Sequence, residues 1–559
     1  MSEIREKKTL VHCLLHWEKT TPDAIYFTQP LPDGQVVDYR WREVADQVRR
    51  MAAHLQSLNL PPRSNIALLG KNSAHWIMAD LAIWMAGHVT VPLYPTLNGE
   101  TAKYILEHCE AKLLFIGKLD GKADGWNDIK TVVPARLPRI GLPMSPDPGI
   151  PQWDELIAGT RPLKDPRLPE PDDLATIVYT SGSTGMPKGV MQCFRAMASV
   201  AVGSEELFPL NQNDRMLSYL PLAHVAERAA VEAQSLYWGF RVYFANALET
   251  FVQDLRRARP TLFFSVPRLW TKFYLGINEK LPPAKQRILF NIPILSRIVK
   301  KKILTQLGME HVRVAITGAA PLPPKIIQWY RGLGLELLEL YGMSENFGYS
   351  HANRPGKTRV GYVGNVNPGC EHRIAENGEV LVKSPGQMLG YYKMDKSAEG
   401  LTPDGFFHTG DMGEIDGEGR LKITGRVKEL FKTSKGKYVA PVPIENRINH
   451  PKIEVVCVAG ASQPQPFALV MLSAEAQQEL ASGGDRQALQ AELETLLDQV
   501  NAAVEDHEQL DYLVVVKDQW TMENGFLTPT MKIKRNVIEG RYEPQVERWA
   551  KVHQKVVWE

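Results

Sequence analysis

The sequence predicts an α/β protein: a large N-terminal domain of layered, parallel-rich sheets with helices, including a small β-rich subdomain, followed by a small α+β C-terminal domain. Three observations carry that expectation. Short apolar, partly β-branched runs alternate with helix-period segments over most of the chain, as buried parallel strands and their crossovers do. From about Val360 the texture changes to short strands and glycine turns. After Arg426 a fresh unit of helices and strands begins. The expected domains are 1–426, with the β-rich part at about 360–426, and 427–559.

In chain order, NIALL (65–69), HVTVPLY (88–94), KLLFIG (112–117), RMLSYL (215–220), RVYFA (241–245), TLFFSV (261–266) and HVRVAITG (311–318) read as buried strands. Ser73–Met85 and Ala223–Tyr237 carry helical patterns between them. GEVLVKSPG and DGFFHTGDMGEIDGEGRLKITG supply the strands and turns of the β-rich part. Beyond Arg426 the spacing predicts a helix over 444–449, a strand over 454–459, a polar helix near 487–504 and a strand over 512–516; Ala474–Glu505 resembles a solvated helical face.

At 559 residues, 44% of them hydrophobic, the chain exceeds one core and implies about two to four domains. A net charge of +2 gives no reason to expect a nucleic-acid partner. Five scattered cysteines form no CxxC pair, so neither a disulfide framework nor a zinc site is indicated, and a reducing cytosol is the simplest compartment. The first twenty residues lack the apolar run of a signal peptide. Asp80 and His88 interrupt the most apolar stretch, 75–93, so a soluble protein is expected.

One stretch suggests chemistry. YTSGSTGMPKGV (179–190) follows the apolar run DLATIVY, and a helix-forming stretch begins at Met191, so the unit reads as strand, glycine loop, helix. Small residues let backbone N–H groups converge on an oxyanion, and the hydroxyls add donors. The loop is not a Walker loop, because Lys188 is followed by Gly189 rather than Ser or Thr.

Five further stretches are TGAAPL (317–322), YGMSE (341–345), HTGD (408–411), GRVKELFKTSKGKYVAP (425–441) and LTPTMKIKR (527–535). Together with the glycine loop, their order and spacing resemble the acyl-adenylate-forming superfamily over nearly the whole chain. SYLPLAHVAER, RPTLFFSVPRLW and LTPTMKIKRNVIE look most like its long-chain fatty acyl-CoA synthetase branch. The resemblance implies a mobile C-terminal domain and two half-reactions: a carboxylate attacks the α-phosphate of ATP to give acyl-AMP and pyrophosphate, and CoA then takes the acyl group. It implies ATP, Mg²⁺ and CoA as cofactor and co-substrates.

By the same resemblance, Thr180, Ser181, Gly182, Ser183, Thr184 and Gly185 line the β- and γ-phosphates, with Lys188 adding charge. Glu345, helped by Thr184, holds magnesium; an acid at a helix start is its plainer role. Ser344 faces the α-phosphate. Gly318, Ala319, Ala320 and Gly342 pass close to the adenine, and Tyr341 stacks on it unless it is a core tyrosine. Asp411 accepts the ribose hydroxyls, or caps a turn; Arg426 is a second ribose contact, or a surface arginine. His224 lies near the carboxylate, or is structural. Lys532 bridges carboxylate and α-phosphate, with Lys534 as rival. Lys428 marks the hinge, and Lys435, Gly436 and Lys437 approach CoA after the domain swings.

Two departures stand out. Cys193 and Phe194 replace the family's usual Thr-His pair, and Arg228 occupies a position where many long-chain members carry an aromatic gate. Residues 276–304 pair apolar positions with Arg287, Arg297 and Lys300–Lys302, which suits either a membrane surface or a core-covering helix with a basic edge, and Pro293 breaks the period. Expected partners are a fatty or related carboxylic acid, ATP and CoA, with a homodimer and peripheral membrane contact as open alternatives. An acyl-AMP ligase serving a carrier protein, an aryl-acid CoA ligase and a catalytically silent relative are the competing readings.

Overall fold

The computed structural model describes residues 9–121, 124–180, 186–395, 400–522, 524–528 and 531–559. Its largest sheet runs in the order 390–391, 188–193, 174–180, 89–93, 65–69, 113–116, 139–141. The five strands from 174–180 to 139–141 are parallel, and the other two pair antiparallel. Strand 89–93 is buried throughout and strand 65–69 nearly so, as expected where helices cover both faces. The helix Ala74–Met85 is buried along its whole length, and Ser73 caps it by accepting from the Trp76 N–H at 3.2 Å.

A second sheet runs 36–40, 25–30, 241–244, 215–218. A third aligns 262–265, 314–317 and 337–341 in parallel, then adds 351–352 and 365–366 antiparallel. The expected β-rich part is a four-stranded antiparallel meander, 371–374, 379–383, 407–415, 421–426. Beyond it, 453–459, 467–472, 513–516 and 556–558 form a separate mixed sheet. The hydrophobic clusters respect this division. Among the described residues, those of the C-terminal region draw on residues from Phe431 onward, and those of the N-terminal region reach no further than Ile423.

The structure differs from the sequence reading in three places. The segment after the glycine loop is not a helix. Lys188–Cys193 folds back as an antiparallel strand on 174–180, with Thr180 opposite Lys188, and the helix starts only at Phe194. Val190 and Cys193 bury themselves in that pairing, which outweighs the helix propensity of the residues beyond. The helix expected over 444–449 instead covers Pro441–Glu445, with proline at its first position, where a missing N–H costs nothing. The "solvated" stretch 474–505 is two helices, and the second buries Leu489, Leu493, Leu496, Leu497 and Val500.

Candidate active site

One cleft of about 2830 Å³ runs between the two regions and collects most of the singled-out side chains. The glycine hairpin brings Thr180 and Lys188 to it; Ser181, Gly182, Ser183, Thr184 and Gly185 lie outside the described residues. Lys188 Nζ stands 5.1 Å from the centre of the Tyr391 ring. The same tyrosine donates its phenol to Glu345 Oε1 at 2.8 Å, so one ring joins the loop's lysine to the expected metal ligand. Gln192 donates to the Ser344 carbonyl at 2.9 Å, tying the strand after the loop to the YGMSE turn. Gly342 has no alternative here, because a Cβ would sit 2.4 Å from the Gly348 backbone.

Next along the cleft lie Gly318, Ala319 and Ala320, on a bend where Ala319 adopts a left-handed φ of 67°. Among the described residues, three buried side-chain oxygens that line the same cleft have no partner: Thr317 Oγ1, Glu339 Oε2 and Asn367 Oδ1. Burial pushes the Glu339 carboxyl up to about 8, against one backbone N–H from Gly361. Glu339 and Tyr391 were both missed in the sequence. Glu339 had a signal: it sits two residues before Tyr341 on one strand, hence on the same face.

Asp411 and Arg426 face each other across adjacent strands. Arg426 Nε donates to Asp411 Oδ1 at 2.9 Å, and the Tyr341 hydroxyl donates to Oδ2 at 2.7 Å. A carboxylate offers about four lone-pair sites, so two remain for further donors. Burial works against the Arg426 charge, but Asp411, Glu429 and Tyr341 more than offset it and raise its pKa. Tyr341 is thus anchored by its hydroxyl as well as lining the cleft.

Lys532 arrives from the C-terminal region on a tight turn, its N–H donating to Thr528 Oγ1 at 3.0 Å and its carbonyl accepting from the Thr528 N–H at 2.7 Å. Cleft water reaches its side chain, yet the surrounding protein lowers its ammonium pKa by desolvation. Arg426 adds repulsion, while Asp411 and Glu429 pull the other way. His224, the N-cap of the short helix Val225–Glu227, is held at about 4 by burial and by Lys532. Its Nδ1 accepts from the Ala226 N–H at 3.0 Å, so the neutral ring carries its proton on Nε2 as a donor. Lys532 and Lys534 both line the cleft, and the charge of Lys532 helps to lower the His224 pKa.

Lys428 lines the cleft. Lys435, Gly436 and Lys437 do not: they form the turn of the hairpin 431–439, with Gly436 at φ 77° and Lys435 Nζ donating to Gln465 at 3.2 Å. Across the two regions, Arg268 pairs with Glu454. The apolar part of the cleft lining includes Val200, Phe208, Met216, Ala229, Leu262 and Phe264. Arg228 is no gate at its mouth. It is buried in a π-helical turn, Arg228–Ala233, and bonds Asp80, Glu232 (2.9 Å) and Thr176 (2.6 Å) between the rings of Trp76 and Trp84.

Comparison with known proteins agrees with this architecture. A family profile described as "AMP-binding enzyme" matches residues 14–392, and one described as "AMP-binding enzyme C-terminal domain" matches 429–552. The chain belongs to the AMP-binding, adenylate-forming enzyme family. Within it, the chain falls in the long-chain acyl-CoA synthetase branch. It is 30% identical to "Long-chain-fatty-acid--CoA ligase FadD15" of Mycobacterium tuberculosis over 97% of both chains. It is 31% identical to "Long chain acyl-CoA synthetase 6, peroxisomal" of Arabidopsis thaliana over 90% of this chain and 80% of that one. Among solved structures, the adenylation domain of a Mycobacterium chelonae carboxylate reductase superposes with a TM-score of 0.81 at 22% identity, covering 98% of this chain and 92% of that one. The anthranilate CoA ligase AuaEII gives a TM-score of 0.78 at 19% identity, covering 96% and 98%. At those identities the likeness is one of fold.

Proposed function

We propose that this chain is an ATP-dependent, AMP-forming ligase that activates a long- or medium-chain fatty acid and passes it to CoA. The observation that carries the reading is the cleft itself. Cationic and donor groups from both regions line the same cavity as a set of apolar side chains that includes Val200, Met216 and Phe264. An anion meeting a polyanion needs concentrated positive charge, and preorganised donors in a partly dry cleft supply it at least cost.

In this reading the acyl chain lies along Val200, Met216 and Phe264, and its carboxylate reaches the gap between His224 and Lys532. Lys532 holds the carboxylate and α-phosphate oxygens together, and the Nε2 proton of His224 steadies one of them. Asp411 takes the ribose hydroxyls on its two remaining lone-pair sites, with Arg426 and Tyr341 fixing its orientation. The base lies against Gly318–Ala320, where the unpartnered acceptors of Glu339 and Asn367 suit an exocyclic amine. Thr180, Lys188 and the loop between them grip the departing pyrophosphate. The carboxylate oxygen forms a bond to the α-phosphorus as the bond to the β-phosphate oxygen breaks.

Glu345 presents a hard oxygen donor beside the hairpin, which fits a magnesium ion that shares its coordination with phosphate oxygens. Bound there, the ion would neutralise phosphate charge. The second half-reaction, attack of the CoA sulfur on the acyl carbon with release of AMP, needs Lys532 out of the site and Lys435–Lys437 brought in. We place the swivel at Lys428 and the domain boundary at 426/427. The test is pyrophosphate release with ATP and Mg²⁺ across straight-chain acids of graded length, followed by thioester formation with CoA against a pantetheinylated carrier protein. Release with fatty acids and thioester on CoA is the expected result. A thioester only on the carrier, or release only with aryl acids, would replace this reading.

A further inference from the structure

Tyr179 is the last residue before Thr180 on strand 174–180, and it pairs with Gly189, the first residue after Lys188. Thr180 and Lys188 stand opposite each other one step further along the same hairpin. The backbone at Tyr179 and Gly189 therefore sets where both cleft-lining groups stand. Tyr179 is 3% exposed, and its hydroxyl lies 2.6 Å from Nδ1 of His108, the last residue of the helix Gly99–His108. Burial, and then the Lys393 charge, lowers the His108 pKa, and burial raises that of Tyr179, so both groups are neutral at pH 7. The hydroxyl has no second acceptor among the described residues, so its proton points at Nδ1 and the imidazole carries its own on Nε2.

Three tyrosines enclose the imidazole. Tyr104 stacks on it with centroids 5.2 Å apart, and Tyr179 and Tyr392 meet it edge-on, each at 5.8 Å. Tyr392 also holds the hairpin from its other strand: its N–H donates to the Gly189 carbonyl at 2.7 Å, and its hydroxyl accepts from Asn65 Nδ2 at 3.2 Å. This closeness requires glycine at 189, where a Cβ would lie 2.8 Å from Ile177 Cγ2 and 3.2 and 3.3 Å from the Tyr179 and Tyr392 side chains. Lys393 donates to the His108 carbonyl at 2.9 Å and pairs with Glu110, which ties the helix end to the segment after Tyr392.

Tyr179, Thr180 and Lys188 line the cleft, whereas His108 and Tyr104 stand behind them. Packing fills the space around Tyr179, and the hydroxyl–imidazole bond is the directional contact that fixes the angle of its ring and of the strand end it belongs to. A polyanion gains most from groups already in place, because loosening them adds an ordering cost to binding. We infer that His108 is a positioning residue for the β- and γ-phosphates of ATP, acting through Tyr179 on Thr180 and Lys188. The inference rests on the reading above in which these two residues grip the departing pyrophosphate.

The experiment compares ATP with AMP in calorimetric titrations of the full chain with Mg²⁺, because the two nucleotides differ only in the β- and γ-phosphates. His108→Ala should weaken ATP binding by about two- to tenfold, as the loss of one hydrogen bond does, and leave AMP binding unchanged. His108→Asn, whose amide oxygen offers an acceptor near the place of Nδ1, should restore most of the ATP affinity. Tyr179→Phe should match His108→Ala, and the double variant should be no weaker than either single one. In turnover, KM for ATP should rise by the same factor, while KM for the acid and thioester formation from supplied acyl-AMP stay at wild-type values. Equal losses for ATP and AMP, an additive double variant, or ATP binding unchanged in His108→Ala would overturn the inference. Pyrophosphate release by the wild type tests the reading beneath it: no release with fatty acids would overturn the proposed substrate, while the ATP–AMP difference still decides the role of His108.

Discussion

Two arginine–carboxylate clusters share their chemistry, yet they stand for different things. Arg228 is sealed, with both carboxylates, two hydroxyl-bearing neighbours and two tryptophan rings closing every side. Asp80 and Glu232 press on one guanidinium, and burial raises the pKa of both carboxyls. Arg426 is half open to the cleft, and its partner Asp411 keeps lone pairs to spare. The difference is one of access, since even the sealed cluster leaves Glu232 Oε1 without a partner among the described residues. A network sealed from solvent holds a scaffold, and one that faces a cavity with acceptor sites to spare is a place for a ligand.

The sharpest way to break that comparison is to empty the sealed cluster. Arg228→Met strands two buried acids, so the unfolding free energy should fall by about 3–5 kcal/mol, while the ATP KM of the folded enzyme stays near wild type. A changed KM with unchanged stability would give Arg228 a place in the site. Lys532→Ala should do the reverse, lowering acyl-AMP formation by about 10²–10³-fold while leaving stability and thioester formation from supplied acyl-AMP largely intact. Equal loss in both half-reactions would contradict its assignment. Asp411→Asn weakens an acceptor that Arg426 and the ribose share, and a raised ATP KM worth about 1.5–3 kcal/mol is expected, read from initial rates.

Proton linkage sharpens the comparison further. His224 is held at about 4, against 6.5 for an ordinary histidine, so between those values the unfolded chain takes up a proton that the native ring refuses. The stability this ring contributes is whole above pH 6.5 and is lost as pH falls towards 4, at ~1.4 kcal/mol per pH unit. His75 and His351, both at about 3, act in the same direction. In denaturant titrations the difference between wild type and His224→Asn should be flat above pH 6.5 and shift steadily in favour of the variant below it. The smallest effect is expected at the contact between the regions. Arg268 and Glu454 are both partly exposed, so Arg268→Ala should cost about 0–1 kcal/mol of docking and shift the balance of half-reaction rates towards the thioester step.

Much of this was readable from the chain because polar motifs announce themselves in order. Strands 65–69, 113–116, 241–244 and 314–317 were equally plain, being short apolar runs with clear ends. What stayed hidden depends on pairing partners far away in sequence. The strand after the glycine loop looked helical because nothing local shows that Val190 and Cys193 will be buried against 174–180. Tyr391 touches Lys188 and Glu345 only because 390–391 adds an edge strand beside Val190 and Met191. Arg228 looked like a lost gate because its two acids lie on separate segments. Their burial on one side of a π-helical turn is a tertiary fact.

The separate hydrophobic clusters of the C-terminal region have a kinetic consequence. The lysine that enters the cleft rides on a body that could stay folded whether or not it is seated. Activity and native structure are then two quantities, and the first can be lost while the second is untouched. In the proposed two-step reaction, ionic strength, by screening the Arg268–Glu454 contact, becomes a dial on the balance between the half-reactions.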